Sequence, residues 1–474
     1  MRHLMPLLAA SASMILSTAA AYADLGDQLA KLLADDGAEL DHFGESVAIS
    51  GSTAIVGAWR DADNGEFSGS AYLFDITTGR QIAKLLANDG AAGDRFGRSV
   101  AISGSTAIVG ADGDDDNGNT SGSAYLFDTT TGEQLFKLLP NDGAGADRFG
   151  WSVGISGAIA IVGARQDDDA CPDNLFCDSG SAYLFDTTTG RQIAKLLADD
   201  AAAGDLFGNS VAISGATAIV GAYLHDDNGS NSGSAYLFDT TTGRQLFELL
   251  SNDGAAGNAF GISVAISGAP GKKTAIVGEP FDDDNGSGSG SAYLFDTITS
   301  DQIAKLLPDD GAAEDIFGYS VAISGATAIV GARWDDDNGG NNSGSAYLFD
   351  TINGDQIAKL LADDGAVGDY FGRSVGISGF PGNEVAIVGA WGDDDNGDAS
   401  GSAYLFDAAG GPGKCPWDLD GDGVVDVDDL LEVVHNMGSC KDPDNCPWDV
   451  NGDGVVNGAD VSEVATHFGP CPKE

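Results

Sequence analysis

The stretch that decides the fold is residues 81–111, QIAKLLANDGAAGDRFGRSVAISGSTAIVGA, followed by an Asp-rich loop and the segment SAYLFD at residues 123–128. This unit recurs seven times along the chain. A repeat of 53 to 58 residues, built of short strands and turns, predicts a radial or stacked all-β array. The Phe-Gly pair that marks the period begins at Phe43, Phe96, Phe149, Phe207, Phe260, Phe317 and Phe371.

Each repeat contains four apolar segments separated by turn-forming residues. In the second copy they are residues 99–103, 106–111, 123–128 and 134–139. The Ser-Gly-Ser and Thr-Thr-Thr-Gly sequences between them are short hairpin connections. Segments such as AIVG and AYLF are apolar at consecutive positions, which is expected when both faces of a sheet are covered. Four antiparallel strands per repeat form the unit of a propeller blade.

The Lys-Leu-Leu segment is out of phase with the rest of the repeat. Its first copy precedes the first Phe-Gly pair, and no copy follows the last YLFD segment at 404–407. Residues 28–33 are therefore expected to pair with the last repeat, because this pairing removes an open sheet edge. The sequence predicts an all-β domain over residues 24–408, a seven-bladed β-propeller with strand-swapped closure.

The order of Phe-Gly, an apolar strand and Val-Gly-Ala resembles the FG-GAP repeat, the propeller repeat of integrin α-subunits. The resemblance covers about residues 28–407. It implies a seven-bladed propeller used in extracellular recognition, often with calcium. In the integrin-type repeat the calcium loop joins the first and second strands of a blade. Here that connection is Ser-Gly-Ser or a similar turn, so this calcium site is missing from all seven copies.

The acidic residues lie instead between the second and third strands, on the same predicted face as the Asp-containing loops that precede each blade. Two carboxylates about 5 Å apart repel by roughly 1 kcal/mol in water, and Ca²⁺ would relieve that repulsion. Alternatively, the side chains are solvated and screened by salt, and Asn-Gly serves only as a turn. The candidate ligands are Asp114, Asp115, Asp116, Asp282, Asp283, Asp284, Asp335, Asp336, Asp337, Asp393, Asp394 and Asp395.

The start of the chain and its charge indicate export. Residues 1–23 combine Arg2 and His3 with an apolar run and the small-residue site at 21–23, which predicts a signal peptide. The formal net charge of −51 excludes nucleic acid and anionic membranes as partners. No later stretch has the roughly 20 apolar residues of a membrane helix, so no membrane insertion is expected. The predicted location is secreted or at the cell surface.

Catalysis has little support in the sequence. The histidines form no recurring group, and no His-Glu-x-x-His motif is present. Carboxylates are so abundant that no pair can be singled out as catalytic. A non-enzymatic protein is therefore expected. Trp59, Trp151, Trp334 and Trp391 either pack at the rim of the propeller or offer rings on which sugars could bind.

A second domain, residues 415–474, follows a Gly-rich linker at 409–414. From Asp418 to Asp429 the oxygen donors have the spacing of an EF-hand loop, with Gly423 at position 6. The same pattern returns 31 residues later from Asp449 to Asp460. Each loop leads into a predicted helix with one apolar face. The module is thus a tandem duplication of a loop and a helix.

This module resembles a type I dockerin, the domain that attaches exported proteins to cohesin-bearing scaffolds. The resemblance implies Ca²⁺ as cofactor and a cohesin-like module as partner. In that family, partner contacts centre on loop positions 10 and 11, which here are Val427-Asp428 and Gly458-Ala459. The implied calcium ligands are Asp418, Asp420, Asp422, the carbonyl of Val424, Asp426 and Asp429, and then Asp449, Asn451, Asp453, the carbonyl of Val455, Asn457 and Asp460.

The six cysteines of an exported chain predict disulfides. If the two halves of the C-terminal module pack antiparallel, the end of the second helix returns near the first loop. Three connectivities are possible for the last four cysteines. The expected pairs are Cys415 with Cys471, Cys440 with Cys446, and Cys171 with Cys177.

These observations predict an exported, non-enzymatic binding or adhesion protein. Its propeller recognises an extracellular protein or glycan, and its calcium-loaded module tethers it to a partner. One alternative is a carbohydrate-active component of a cellulosome-like, polysaccharide-degrading assembly. Another is a structural acidic surface protein that binds divalent cations.

Overall fold

The computed structural model describes residues 25–170, 177–269, 272–379, 384–408, 424–425, 427–439, 448, 450, 455–466 and 469–470. Within these ranges, 28 strands form seven four-stranded antiparallel sheets. Strand order follows the chain in six sheets, and the seventh takes its outer strand from the N-terminal segment. The predicted seven-bladed all-β propeller is confirmed.

The bounds of the strands follow the repeat closely. Blade 1 contains β2 (Ser46–Ser50), β3 (Thr53–Ala58), β4 (Ser70–Asp75) and β5 (Arg80–Leu85). Blade 2 contains β6 (Val100–Ser103), β7 (Thr106–Ala111), β8 (Ser123–Asp128) and β9 (Gln134–Leu138). Blade 3 contains β10 (Phe149–Ser156), β11 (Ile159–Ala164), β12 (Ser181–Asp186) and β13 (Arg191–Leu196). Blade 4 contains β14 (Ser210–Ser214), β15 (Thr217–Ala222), β16 (Ser234–Asp239) and β17 (Arg244–Leu249).

The remaining blades have the same order. Blade 5 contains β18 (Val264–Ala269), β19 (Lys272–Glu279), β20 (Ser291–Asp296) and β21 (Gln302–Leu306). Blade 6 contains β22 (Ser320–Ser324), β23 (Thr327–Ala332), β24 (Ser345–Asp350) and β25 (Gln356–Leu360). Blade 7 contains β26 (Ser374–Ser378), β27 (Val385–Ala390), β28 (Ser402–Asp407) and β1 (Gln28–Leu32).

The first strand of each blade packs against the first strands of both neighbouring blades, so the seven strands surround a central channel. The second and third strands are buried along almost their whole length. Between blades 1 and 2, for example, Leu73 and Leu85 pack in one cluster with Val109 and Phe127. Both sheet faces are therefore covered, which explains the unbroken apolar runs in the sequence.

The closure of the ring occurs where the phase of the repeat predicted it. Strand β1 pairs antiparallel with β28, with Gln28 opposite Phe406 and Leu32 opposite Ala403. The amide of Gly26 donates to the carbonyl of Asp407 at 2.8 Å, just before the ladder begins. β1 thus covers the edge of β28 and becomes the outer strand of blade 7, as the fourth strand is in the other blades.

The Phe-Gly pair joins each blade to the preceding one. Phe96 is buried and meets the rings of Tyr125 and Phe127 edge-on, at 5.5 and 5.7 Å between ring centroids. Gly97 has a φ of +89°, and a Cβ there would lie 2.1 Å from the carbonyl oxygen of Ser70 in blade 1. Phenylalanine is thus a wedge between blades, and glycine allows their backbones to touch.

The C-terminal region contributes two short helices, α1 (Val427–His435) and α2 (Gly458–Thr466). Their apolar core consists of Val425, Val433, Val456 and Val464. Four two-residue strands connect the copies: β29 (Val424–Val425) pairs with β32 (Gly469–Pro470), and β30 (Gly438–Ser439) pairs with β31 (Val455–Val456). The start of the first copy thus lies beside the end of the second.

Candidate functional site

The central channel opens on the face that carries the acidic loops. Its mouth is a cavity of about 360 Å³, and deeper in the channel the wall becomes apolar, with residues such as Val47 and Ile49. Each blade contributes to the wall of the mouth the residue that directly follows its Phe-Gly pair. These seven residues are Glu45, Arg98, Trp151, Asn209, Ile262, Tyr319 and Arg373.

This position changes chemistry from blade to blade, although the Ser-Val that follows it is the same in all seven copies. A varied residue inside an otherwise constant repeat is a signal for a binding surface, and our reading of the sequence missed it. The constant serines have a structural role: Ser152 donates to the carbonyl of Gly208 in the next blade at 2.8 Å. Ser152 and Ser374 each lie in a Gly-x-Ser-x-Gly sequence, but on strands rather than at the strand-to-helix turn of a hydrolase nucleophile.

Two buried carboxylates pair some of the arginines at the mouth. Glu45 accepts from Arg98 at 3.0 Å and from Arg373 at 2.6 Å. Burial alone would raise the pKa of Glu45, but Arg373 and Arg98 outweigh it and lower that pKa. Asp112 binds two further guanidinium groups in the same way, those of Arg95 and Arg148.

Arg165 and Arg333, like Arg60 beside Trp59, keep a charge that no described carboxylate neutralises at ion-pair distance. The guanidinium carbon of Arg165 lies 3.2 Å from the ring centroid of Trp151, and that of Arg333 lies 3.7 Å from Tyr319. The Nε of each arginine is buried without a hydrogen-bond partner, and no described carboxylate lies within ion-pair distance of either. Burial lowers the pKa of Arg165 to about 10, so it stays charged at neutral pH. Both can therefore accept an anionic ligand.

Aromatic rings surround these arginines. Tyr370 and Trp391 stack in parallel at 4.7 Å, and His42 lies 4.4 Å from Trp391 on a tilted plane. Burial and then the charge of Arg60 lower the pKa of His42 to about 4, so this imidazole is neutral at neutral pH. The tryptophans noted in the sequence thus belong to the rim of the channel and hold arginine and histidine side chains.

Outside the mouth, acidic pockets lie between the loops of the same face. In blade 2, Lys137 Nζ lies 2.7 Å from Asp89, 2.9 Å from Asp114 and 2.7 Å from Asp116. The Tyr125 hydroxyl donates to Asp114 at 2.9 Å. Six blades contain such a lysine, on the outer strand: Lys31, Lys84, Lys137, Lys195, Lys305 and Lys359.

The sequence predicted that Ca²⁺ would relieve the repulsion between these carboxylates. In the structure, the ammonium group of the lysine lies among them instead. Burial alone would lower the pKa of Lys137, but hydrogen bonds from its ammonium group to three aspartates raise it. Burial would likewise raise the pKa of Asp114, and Lys137 lowers it. The first and third aspartates of each predicted ligand set, such as Asp282 and Asp284, meet at this lysine.

The second aspartate of each set has a different role. Asp115 accepts a hydrogen bond from the backbone amide of Thr120 at 2.7 Å and so closes its own loop. Asp283, Asp336 and Asp394 accept from backbone amides of their loops in the same way. Calcium binding by these loops therefore stays a prediction, and the first and third aspartates of each set are its remaining candidate ligands.

In the C-terminal module, five predicted ligands belong to the described residues. Asp429 and Asp460, at position 12 of the two loops, are fully buried at the starts of α1 and α2. Asn457 is hydrogen-bonded to Val455, and Val424 lies in β29. Asp418, Asp420, Asp422, Asp426, Asp449, Asn451 and Asp453 lie outside the described residues. Buried carboxylates at both twelfth positions fit an oxygen-ligated Ca²⁺.

Of the cysteines, Cys177 is buried and disulfide-bonded. The other five lie outside the described residues, so the three predicted pairs stay predictions. The signal peptide and the linker also lie outside them. Among the helices that the structure describes, none has the length and apolar character needed to cross a membrane.

Comparison with known families matches both regions. The profile described as FG-GAP repeat matches residues 27–74, 80–127, 133–185, 191–238, 244–295, 301–349 and 355–406. The profile described as dockerin type I domain matches residues 416–469. No curated protein matches the chain. Dockerin type I domains bind calcium and cohesin modules, and the two families together indicate an extracellular or cell-surface protein.

Proposed function

The chain belongs to the FG-GAP repeat family, and from this premise we propose that it is an exported, non-enzymatic binding protein. Its propeller binds an extracellular ligand at the mouth of the central channel. Its dockerin domain, loaded with Ca²⁺, attaches the propeller to a cohesin module.

The unpaired guanidinium groups of Arg165 and Arg333 carry the proposal for the ligand. A buried charge without a counterion is unfavourable, so a carboxylate or sulfate bound at either group relieves a cost that the free protein bears. Guanidinium groups bind such anions in a bidentate manner. The ring of Trp151 packs against the guanidinium group of Arg165, and the ring of Tyr319 packs against that of Arg333. The ligand is therefore expected to present an acidic group.

The acidic pockets around the mouth restrict the ligand further. Each pocket holds more carboxylates than lysines, so the rim of this face repels a chain of many negative charges. An isolated acidic group on an otherwise neutral chain avoids this repulsion. A glycan with single uronic acid or sulfate groups has this chemistry, and heparin-like polyanions do not.

For the dockerin domain, helix α1 offers a docking surface. Val427 and Val434 lie seven positions apart on one face of α1, are 57% and 40% exposed, and are followed by Met437, which is half exposed. Apolar side chains in such a row are typical of a helix that docks on a partner. Val427 is also loop position 10, where the family places its partner contacts.

We expect glycan arrays probed with the calcium-loaded chain to show binding to neutral chains with sparse acidic groups. Arg165→Ala and Arg333→Ala should each weaken binding by about tenfold or more, since a charged hydrogen bond is worth about 1.5 to 3 kcal/mol. Arg244→Ala, which removes an exposed arginine of β17, is the matched control. Equal binding by all variants would place the ligand elsewhere, and hydrolysis of a bound glycan would favour the carbohydrate-active alternative.

The tether is tested separately with cohesin modules. Binding should require Ca²⁺ and should fall with Val427→Asp or Val434→Asp, whereas the arginine variants should leave it unchanged. Calorimetry of the whole chain should show two calcium sites that are lost together with Asp429→Ala and Asp460→Ala. Cohesin binding that persists in excess chelator would contradict the calcium-dependent tether.

A further inference from the structure

Blade 4 departs from the lysine-centred pocket at two positions at once. The outer strand β17 has Glu248 where six blades have lysine, and the loop after β15 begins with His225 where they have aspartate. The pocket thereby loses its fixed cation and gains a carboxylate and an imidazole. Asp227 still occupies the place of the third loop aspartate.

The new side chains converge on one point. The donor atoms of His225, Asp227 and Glu248 all lie within 4.8 Å of one another. His225 Nδ1 is 3.8 Å from Asp227 Oδ1, and the Ser234 hydroxyl contacts both Nδ1 at 3.1 Å and Glu248 at 3.0 Å. His225 is 4% exposed, so the imidazole is held within the blade.

A buried hydroxyl gives an independent sign of a missing ligand. In the six other blades the tyrosine of the third strand donates to the first loop aspartate, as Tyr125 does to Asp114. Tyr236 is fully buried, and its hydroxyl forms no hydrogen bond of ordinary length and angle with a described residue, although Ser234 and Asp200 lie next to it. Its ring is perpendicular to that of His225 at 6.1 Å, in the same pocket.

We propose that His225, Asp227 and Glu248 bind a divalent first-row transition metal ion, with Zn²⁺ as the best representative. Histidine nitrogen and carboxylate oxygen are both accepted ligands of Zn²⁺, whereas Ca²⁺ prefers oxygen alone. The remaining coordination position is open to a water molecule, a suitable partner for the Tyr236 hydroxyl. The ion takes the place of the lysine ammonium as the cation of this blade.

The surroundings of the imidazole agree with this assignment. Its other nitrogen, Nε2, lies 4.0 Å from Asp205 Oδ2, on the loop that precedes the blade. A carboxylate beside the second nitrogen orients a metal-binding histidine and fixes its tautomer. Asp205 forms no hydrogen bond with the imidazole at this distance, and we expect it to approach Nε2 when the ion binds, which makes Asp205 a positioning residue and Nδ1 the donor atom.

The experiment uses the whole chain in 10 mM Ca²⁺, which fills the dockerin sites, and titrates Zn²⁺ against a chromogenic chelator. One zinc per chain is expected, with a higher Tm of the propeller; Co²⁺ should give the absorption bands of a low-symmetry site. The double variant His225→Asp, Glu248→Lys rebuilds the lysine-centred pocket, and it should remain folded and bind zinc at least tenfold more weakly. His42→Ala removes a histidine at the channel mouth and should bind as the unaltered chain does.

Three results would overturn the proposal. Zinc binding retained by the double variant would assign the ion to another part of the chain. Zinc that binds in the absence of Ca²⁺ but not in 10 mM Ca²⁺ would contradict the transition-metal class. A propeller whose Tm and metal content do not respond to zinc would show that His225 and Glu248 are joined only through the hydroxyl of Ser234.

Discussion

A single lysine in each outer strand decides how six of the seven acidic pockets are neutralised. Its ammonium group holds three aspartates, of which one is buried and two are about half exposed, as Asp114, Asp89 and Asp116 are around Lys137. The buried partner matters most, because a carboxylate that loses its counterion inside a protein is costly.

We expect Lys137→Met to lower the free energy of unfolding by about 2 to 3 kcal/mol, since Asp114 is then buried without its cation. Arg244→Met removes one exposed positive charge and should cost less than about 0.5 kcal/mol. Denaturant unfolding of the whole chain measures both.

The double variant Lys137→Met, Asp114→Asn serves as the check on the mechanism. It removes the buried charge together with its partner and should recover part of the loss. If the double variant is less stable than the single one, the ion pair does not explain the effect. A recovery of the single variant by millimolar Ca²⁺ would show that three carboxylates without a lysine can bind that ion.

The limits of sequence reasoning are also clearest at individual residues. The aspartates and the tyrosine were visible, but the lysine is 23 positions from Asp114 along the chain, and only the register of the outer strand brings them together. The arginines at the mouth were missed because they come from different repeats. Arg98 and Arg373 directly follow Phe-Gly, whereas Arg165 and Arg333 directly follow Val-Gly-Ala, and a comparison of the seven copies finds both positions.

Among the elements, β1 joins the first part of the chain to the last blade. It supplies main-chain pairing to β28 and also Lys31, whose Nζ lies 2.9 Å from Asp393 and 2.8 Å from Asp364. Blade 7 therefore depends on this strand for both its edge and its cation.

A chain that lacks residues 25–34 should expose the edge of β28 and associate into larger species. A synthetic peptide of residues 25–34 should restore the monomer when added in trans. Light scattering and analytical ultracentrifugation measure this.

The same peptide with Lys31→Glu carries the charge found in blade 4 and should fail to restore the monomer, because it places a fourth carboxylate in the pocket. A truncated chain that is monomeric with an unchanged Tm would contradict the closure. Rescue by both peptides would mean that the ladder suffices without the ion pair.

At the scale of the whole molecule, the chain has a formal net charge of −51, and two classes of aspartate in the propeller differ in the direction of their pKa shifts. In the lysine-paired class, lysine lowers the pKa values of Asp61, Asp114, Asp282 and Asp393 despite burial. The other class precedes the Phe-Gly pairs, where burial raises the pKa. It comprises Asp41, Asp94, Asp315 and Asp369, with pKa values of about 6, and Asp147, with a pKa of about 7.

The propeller should be more stable at pH 5 than at pH 8. Between about pH 4, where unfolded aspartates ionise, and pH 6 to 7, the second class holds more protons in the folded state, so raising the pH costs stability. Above pH 7 this loss is complete. The lysine-paired class acts in the opposite direction only below about pH 4. Calorimetry of the propeller transition in excess Ca²⁺ should show a lower Tm at pH 8.

Salt provides the complementary measurement. At pH 8 added NaCl should raise the Tm by screening repulsion between carboxylates, and the same addition at pH 5 should have a smaller effect. An equal Tm at the two pH values would mean that these carboxyl groups titrate as they do in the unfolded chain.

The overall fold was predictable because the repeat period, the turn sequences and the order of the strands all indicate the same architecture. The period gave the number of blades, the hairpin turns gave four strands, and the phase of Lys-Leu-Leu gave the closure with β1. The strand bounds of blade 2 differ from the prediction by one residue at the start of β6 and at the end of β9. The electrostatics were less predictable, since they depend on side chains that meet only when separate loops converge.

Closure by β1 also determines when the molecule can finish folding. Lys31 and Asp393 are 362 positions apart, so their contact has to wait until nearly the whole propeller has been synthesised. Contacts between such distant residues form slowly, because a long segment must be ordered first. Until then β1 has no partner and the chain stays an open arc of blades. The interval before closure is therefore the period in which the uncovered strand edges are most exposed to association with other chains.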